Sequence, residues 1–235
     1  MRRRHHILLT VALVACQRAT PVVQAQATQA NTPDQPIASD SVARAKLADL
    51  RTAAPGVRFE LRYATTNNFT AAVLPGYGAA VPLLRREAAV ALAKVERDLE
   101  RRGLALKVFD GYRPRRATLG MVAWCEANHR VDLLDNGYIA RRSRHNQGVA
   151  IDLTVIEIAT GHELDMGTPF DNFTDRAHTA NATGVPATNR AILGDAMRRA
   201  GFVNYADEWW HFSFDVPDPM PFDLPLENWG RMTGG

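Results

Sequence analysis

Ser143-Arg144-His145-Asn146-Gln147-Gly148-Val149-Ala150-Ile151-Asp152-Leu153-Thr154-Val155-Ile156 holds both the clearest strand of the chain and its clearest chemical conflict. Val149, Ile151, Leu153 and Val155 alternate with Ala150, Asp152 and Thr154, and a period of two sends the two sets to opposite faces of a strand. The first set is wholly apolar and faces a core. An acid in the middle of the second set breaks an otherwise apolar run, and such local conflicts tend to mark sites. His145 stands seven residues before that acid. Two ligands of one metal ion need Cα atoms within roughly 10 Å, because their donors lie about 2.0–2.2 Å from the ion. Seven residues of continuous strand would span about 23 Å. His145 and Asp152 can therefore share an ion only if the chain reverses between them, at Asn146-Gln147-Gly148, where Gly148 tolerates the backbone angles a turn demands.

Glu208-Trp209-Trp210-His211 supplies a second carboxylate–imidazole pair. Trp209 to Phe214 favours a strand, in which residues three apart point to opposite sides, so Glu208 is expected in a loop or bulge just ahead of it. His145, Asp152 and His211 then form three candidate metal ligands, and Glu208 is an acid left over to take a proton. That is the composition of a hydrolytic zinc centre. Either half alone is a weak signal, since satisfied structural residues account for most such spacings. Their joint occurrence, with Arg113 in a rigid Tyr112-Arg113-Pro114 turn, is much stronger. Among the other histidines, His5 and His6 fall in an apparent leader, His129 and His162 read as surface loop residues, and His178 is left open between a structural and a substrate-side role. Cys125 reads as a buried, inert thiol.

The chain has 235 residues, 46% hydrophobic and 23% charged, which suits one well-buried domain and is short for two. Its formal charge of +3 draws on Arg2, Arg3 and Arg4; without them Lys+Arg falls from 28 to 25, equal to the 25 Asp+Glu. No electrostatic case for nucleic acid follows. Those arginines precede a short apolar run, Ile7 to Ala15, too short to span a bilayer. The run ends in Leu13-Val14-Ala15-Cys16, which resembles a bacterial lipobox. The expectation is a lipoprotein-type signal peptide over 1–15, a flexible Gln/Ala/Thr/Pro-rich tether over 16–42, and a catalytic domain over 43–235. It makes the protein an exported, periplasmic or cell-envelope lipoprotein, held to a membrane only by a lipid anchor at Cys16.

Working outward from the central strand, the spacing predicts helices over about 42–51, 82–102, 115–128 and 189–200. It predicts strands over 57–63, 104–109, 148–156, 202–205 and 210–214, and a loop over 163–183. Helices and strands mix without strict βαβ alternation. The fold class is therefore α+β, a single domain with a central, mainly antiparallel sheet flanked by helices.

Ser143-x-His145-x-x-Gly148-x-Ala150-x-Asp152 followed by Glu208-Trp209-Trp210-His211 resembles the signature of the D-alanyl-D-alanine dipeptidase (VanX-type) family of zinc peptidases, related to D,D-carboxypeptidases and to the Hedgehog signalling domain. The resemblance extends to Arg62-Tyr63-Ala64-Thr65, Asp110-Gly111-Tyr112-Arg113-Pro114, Met166-Gly167-Thr168-Pro169-Phe170-Asp171, Asn189-Arg190 and Ala200-Gly201-Phe202. It implies one Zn2+ per chain on His145, Asp152 and His211, Glu208 as general base and acid, and Arg113 steadying the oxyanion. It also implies Tyr63, Ser143 and Asp171 at the dipeptide, with Asp171 receiving the free ammonium. The expected activity is hydrolysis of D-alanyl-D-alanine to two D-alanines by metal-activated water, with no protein partner implied. The alternatives are a D,D-carboxypeptidase acting on peptidoglycan stem peptides and a non-catalytic zinc-containing binding module. The lipobox and tether depart from the family's best-known cytoplasmic members.

Overall fold

The computed structural model describes residues 35–230. The expected signal peptide, Cys16 and most of the tether lie outside them. Residues 35–42, expected as the end of the tether, are ordered: Ala38 bridges to Phe222, and Ser39 caps helix α1 (Asp40–Lys46). Among the described residues no helix is long and apolar enough to cross a membrane.

The molecule is α+β and built on one five-stranded sheet. Its strands are β2 (Arg58–Phe59), β4 (Leu104–Asp110), β5 (Ala150–Glu157), β6 (Phe202–Asn204) and β7 (His211–Phe214), in the order β2-β4-β5-β7-β6. Only the β2–β4 edge is parallel; the other three pairings are antiparallel. Leu106 and Val108 of β4, with Ile151, Leu153 and Val155 of β5, enter the core. Helices α3 (Arg86–Glu100) and α6 (Gly184–Arg199) pack on the sheet and on each other. The apolar stripe of α3, Ala88, Ala91, Leu92, Val95 and Leu99, is buried as the spacing predicts. Helix α4 (Arg115–Ala127) buries Met121, Val122 and Cys125. The short α5 (Asp132–Asp135) follows it.

Four expectations are corrected. The helix over 42–51 is split: Leu47–Asp49 forms β1, which pairs antiparallel with β3 (Leu83–Arg85), and a short α2 (Leu50–Ala53) follows under an Asp49 cap. The same pairing removes the first turn of the helix expected from Pro82, because Leu83 and Leu84 are fully buried as strand residues. Pairing with a distant segment overrides local propensity here. Third, the strand over 57–63 ends at Phe59. The chain then enters a 3₁₀ turn, Arg62–Ala64, that buries Tyr63. Helix α6 begins five residues earlier than its spacing predicts, at Gly184, and the loop before it holds two further 3₁₀ turns.

Candidate active site

Three neighbouring strands bring polar side chains to one place. Asp152 of β5 is directly opposite His211, the first residue of β7, and opposite Asp110, the last residue of β4. Directly opposed residues share a face of an antiparallel sheet. Asp110 reaches that face through a β-bulge: Val108 opposes Leu153, Phe109 is skipped, and Asp110 takes the place opposite Asp152. Bulges beside active sites commonly re-aim a side chain in this way. The displaced Phe109 stacks on Phe170, centroids 4.8 Å apart.

His145 arrives from a 3₁₀ turn, Arg144–Gln147. Ser143 Oγ accepts from the His145 amide, Asn146 Oδ1 accepts from the Ser143 amide, and Gly148 closes the turn in the left-handed region at φ 67°. The reversal that His145 and Asp152 require is thus made at Gly148. A Cβ there would stand 2.6 Å from Leu47 Cδ2. Asn146 Nδ2 donates to the Arg113 carbonyl and to Thr118 Oγ1, both at 2.9 Å, and the Arg113 amide donates to the His145 carbonyl at 3.1 Å. The Asp110–Pro114 turn and the His145 turn are therefore locked together.

His145 Nδ1 lies 2.7 Å from the Gly111 carbonyl, so Nδ1 carries the proton and Nε2 presents a lone pair. His145 Nε2 is 3.2 Å from His211 Nδ1 and 3.3 Å from Asp152 Oδ2, and His211 Nδ1 is 3.0 Å from Asp152 Oδ1. Donors about 2.0–2.1 Å from a tetrahedral ion stand roughly 3.3 Å apart, close to each of these contacts; Asp152 turns a different oxygen to each imidazole, and one donor atom from each residue lies within 4.8 Å of the others. All three residues are buried. Two imidazoles and a carboxylate are a zinc-type ligand set, and the residues present fit such an ion.

Glu208 is held in the turn between β6 and β7, ahead of the strand. Its amide donates to the Tyr205 carbonyl, and its own carbonyl accepts from the His211 amide and from Asn204 Nδ2. Its carboxyl Oε2 is 3.8 Å from His211 Nδ1, near the triangle but beyond hydrogen-bond reach of it. Burial, then the charges of Asp152 and Asp171, push this carboxyl well above its ordinary range, with Arg113 opposing. Burial also raises Asp152, but His145 and then His211 outweigh it and hold Asp152 low. Burial lowers His211 despite Asp152. Arg113 is desolvated too, yet Asp110, Tyr63, Tyr77 and Asp152 keep it firmly cationic. It lies 2.9 Å from Asp110 through Nε, 3.7 Å from Asp152 through Nη2, and its Cζ stands 4.9 Å from the Tyr63 ring centre. The acids Asp110, Asp152, Asp171 and Glu208 thus gather around a single buried guanidinium, an excess of acidic groups whose ionised forms a bound cation would favour.

Arg113, His145, Asp152, Glu208 and His211 form the floor of a cavity of about 730 Å³, and Asp110 lies behind it. Asp171 and Tyr63 stand together in its wall: the Tyr63 hydroxyl donates to both Asp171 oxygens, at 3.1 and 3.2 Å. Burial, then the Asp152 charge, push the Asp171 carboxyl up to about 8, with Tyr63 and Arg113 opposing. Asp171 adopts φ 58°, a left-handed conformation unusual outside glycine. Ser143 also lines the cavity while capping the His145 turn. All eight residues singled out in the sequence therefore line one cavity or its floor. Outside the cavity lining, His178 contacts Tyr138 Oη through Nε2 at 3.1 Å, and Tyr138 does line it. His129 and His162 are exposed, and Cys125 is buried.

The sequence alone assigns no role to Asp110, Tyr77 or the Gly111 carbonyl. Tyr77 donates to Asp110, and Asp110 in turn holds Arg113. A signal was present: Asp110, like Asp152, is an acid in a largely apolar strand, at its end where Asp152 lies within.

The fold and this site define a peptidase of hydrolytic-metal type. The D-ala-D-ala dipeptidase family of M15 peptidases matches the chain over residues 43–221. D-alanyl-D-alanine dipeptidases of Enterococcus faecium and Escherichia coli K12 are each 36% identical to it, over 73% and 76% of this chain and 94% and 89% of their own. The Streptomyces coelicolor dipeptidase is 34% identical over 73% of this chain and 93% of its own. The chain belongs to this D-ala-D-ala dipeptidase family and is a peptidase.

Proposed function

We propose that the chain is a zinc-dependent dipeptidase that hydrolyses D-alanyl-D-alanine to two D-alanines, with one ion held by His145, Asp152 and His211. The observation that carries this reading is the donor triangle with Glu208 beside it and Asp171 in the wall of the same cavity. The name of the relatives supports the substrate. What zinc supplies when bound there is Lewis acidity toward the peptide carbonyl and toward water. Glu208 accepts the proton of the attacking water and then passes it to the departing amine. Arg113, kept cationic and held by Asp110, stabilises the negative charge that develops on the carbonyl oxygen. Asp171, steadied by Tyr63, receives the free ammonium, and its burial penalises a substrate that brings no positive charge.

The test compares alanine release from D-Ala-D-Ala and from N-acetyl-D-Ala-D-Ala, alongside the zinc content of the protein. Faster release from the free dipeptide, with one zinc per chain, is the expected result. Faster release from the acetylated compound would make the protein a D,D-carboxypeptidase instead. Zinc without turnover of either would leave a binding module.

On residues 1–34 alone we further propose export and lipid anchoring at Cys16, with the domain in the periplasm or at the cell envelope. Incorporation of labelled palmitate that is lost in Cys16→Ser is the expected outcome. Equal labelling of both would rule the anchor out.

A further inference from the structure

Arg190 is buried on α6 and has no place in the chemistry above. Its guanidinium makes three bonds, all to main-chain carbonyls: Nε to Met166 at 2.8 Å, Nη1 to His178 at 2.7 Å and Nη2 to Arg176 at 2.9 Å. A planar fork of fixed donors suits that task, which neither an ammonium nor an apolar side chain could perform. The three carbonyls belong to one connection, and they bracket Asp171: Met166 lies before it, Arg176 and His178 after it. Both ends of the loop thus converge on one side chain. Asn189, the preceding residue of α6, adds a bond from Nδ2 to the Asp165 carbonyl at 2.8 Å. Between these ties Asp171 holds a left-handed conformation, which persists only when the surroundings over-determine it.

We propose that Arg190 is a positioning residue for the amino end of the substrate: it closes the Met166–His178 segment into one arch and so holds the Asp171 carboxylate against Tyr63 in the cavity wall. This rests on the reading of Asp171 as the ammonium partner. A residue needed only for folding would reduce the amount of active enzyme and leave KM alone. A residue acting through Asp171 moves KM, and does so only while Asp171 is there to be moved.

The experiment is a double-mutant cycle on the zinc-loaded enzyme with D-Ala-D-Ala, using Arg190→Lys, Asp171→Asn and the pair. Arg190→Lys is expected to raise KM roughly 10-fold with little change in kcat, since small misplacements of binding groups are costly. In the Asp171→Asn background the same change is expected to move KM by less than about 2-fold, the signature of coupled residues. An equal KM rise in both backgrounds, or a loss confined to kcat, overturns the proposal. If Asp171→Asn alone leaves KM unchanged, the reading of Asp171 has failed instead, a result separable from the first. Should Arg190→Lys not fold, Asn189→Ala carries the same cycle. A KM rise of about 3-fold that vanishes with Asp171→Asn supports the arch, and an additive one overturns it.

Discussion

Glu208 and His211 reach the donor triangle from different footings, the first from a turn and the second from the start of β7. Removing the carboxylate therefore leaves the ligand in place. Glu208→Gln is expected to keep its metal content and lose kcat by about 10²–10⁴-fold, the usual contribution of general acid–base catalysis. Steady-state rates with metal analysis on the same sample check this, and a near-normal rate would remove Glu208 from its role. His145→Ala should behave in the opposite way. It takes one of three donors from a buried site, so bound zinc and activity should fall together on dialysis. Arg113→Lys keeps the charge but loses the fork that Asp110 grips through Nε and Nη2. A loss of about 10²–10³-fold in kcat is expected, the scale of one oxyanion donor.

At the scale of elements, the site depends on two interruptions of regular structure, the bulge at Phe109 and the turn at Gly148. The turn is the more testable. Gly148 holds φ 67° with Leu47 and Arg85 packed against it. An alanine there would meet both a left-handed backbone and Leu47 Cδ2. Gly148→Ala is expected to cost about 1–3 kcal/mol. That corresponds to roughly 2–4 °C in Tm for each kcal/mol at this chain size. Because the same turn carries His145, zinc affinity should fall in parallel. Thermal melts with and without zinc separate the two effects, and unchanged affinity in a folded variant would detach the turn from the metal site.

Across the whole molecule, two features set how stability responds to conditions. Binding of an ion to the folded state alone stabilises by mass action, about 4 kcal/mol at a thousandfold excess over Kd. Chelation should accordingly lower Tm by roughly 8–16 °C, and a Tm indifferent to chelator would mean that no ion is held. The second feature lies near the C-terminus, where Asp218 pairs with Lys46 and, at 2.7 Å, with the fully buried Arg85 beside Gly148. These two partners hold the Asp218 carboxyl down at about 2. A depressed folded pKa contributes stability above the ordinary value of 3.8, and that contribution is lost as pH falls toward 2. Asp218→Asn should be less stable than the parent near neutrality, and the gap should close over that acid window. Urea midpoints at several pH values check this, and a gap independent of pH would exclude the pair.

The sequence by itself determined what is local. The alternation from Val149 to Val155, the acid that breaks it and the placing of Glu208 ahead of its strand follow from backbone periodicity within a few residues, and the reversal at Gly148 follows from the short reach of two ligands to one ion. The mainly antiparallel α+β class follows from the order of such segments. Only the tertiary structure decided what depends on distant pairing. Leu47–Asp49 is a strand because Leu83–Arg85 lies beside it, against its helical spacing. Asp110 faces Asp152 because a bulge arises where β4 meets β5. Arg190 matters because a loop folds back over α6 to surround it. Register, bulges and loop closure come from contacts between segments tens of residues apart, and no window of local periodicity contains both partners.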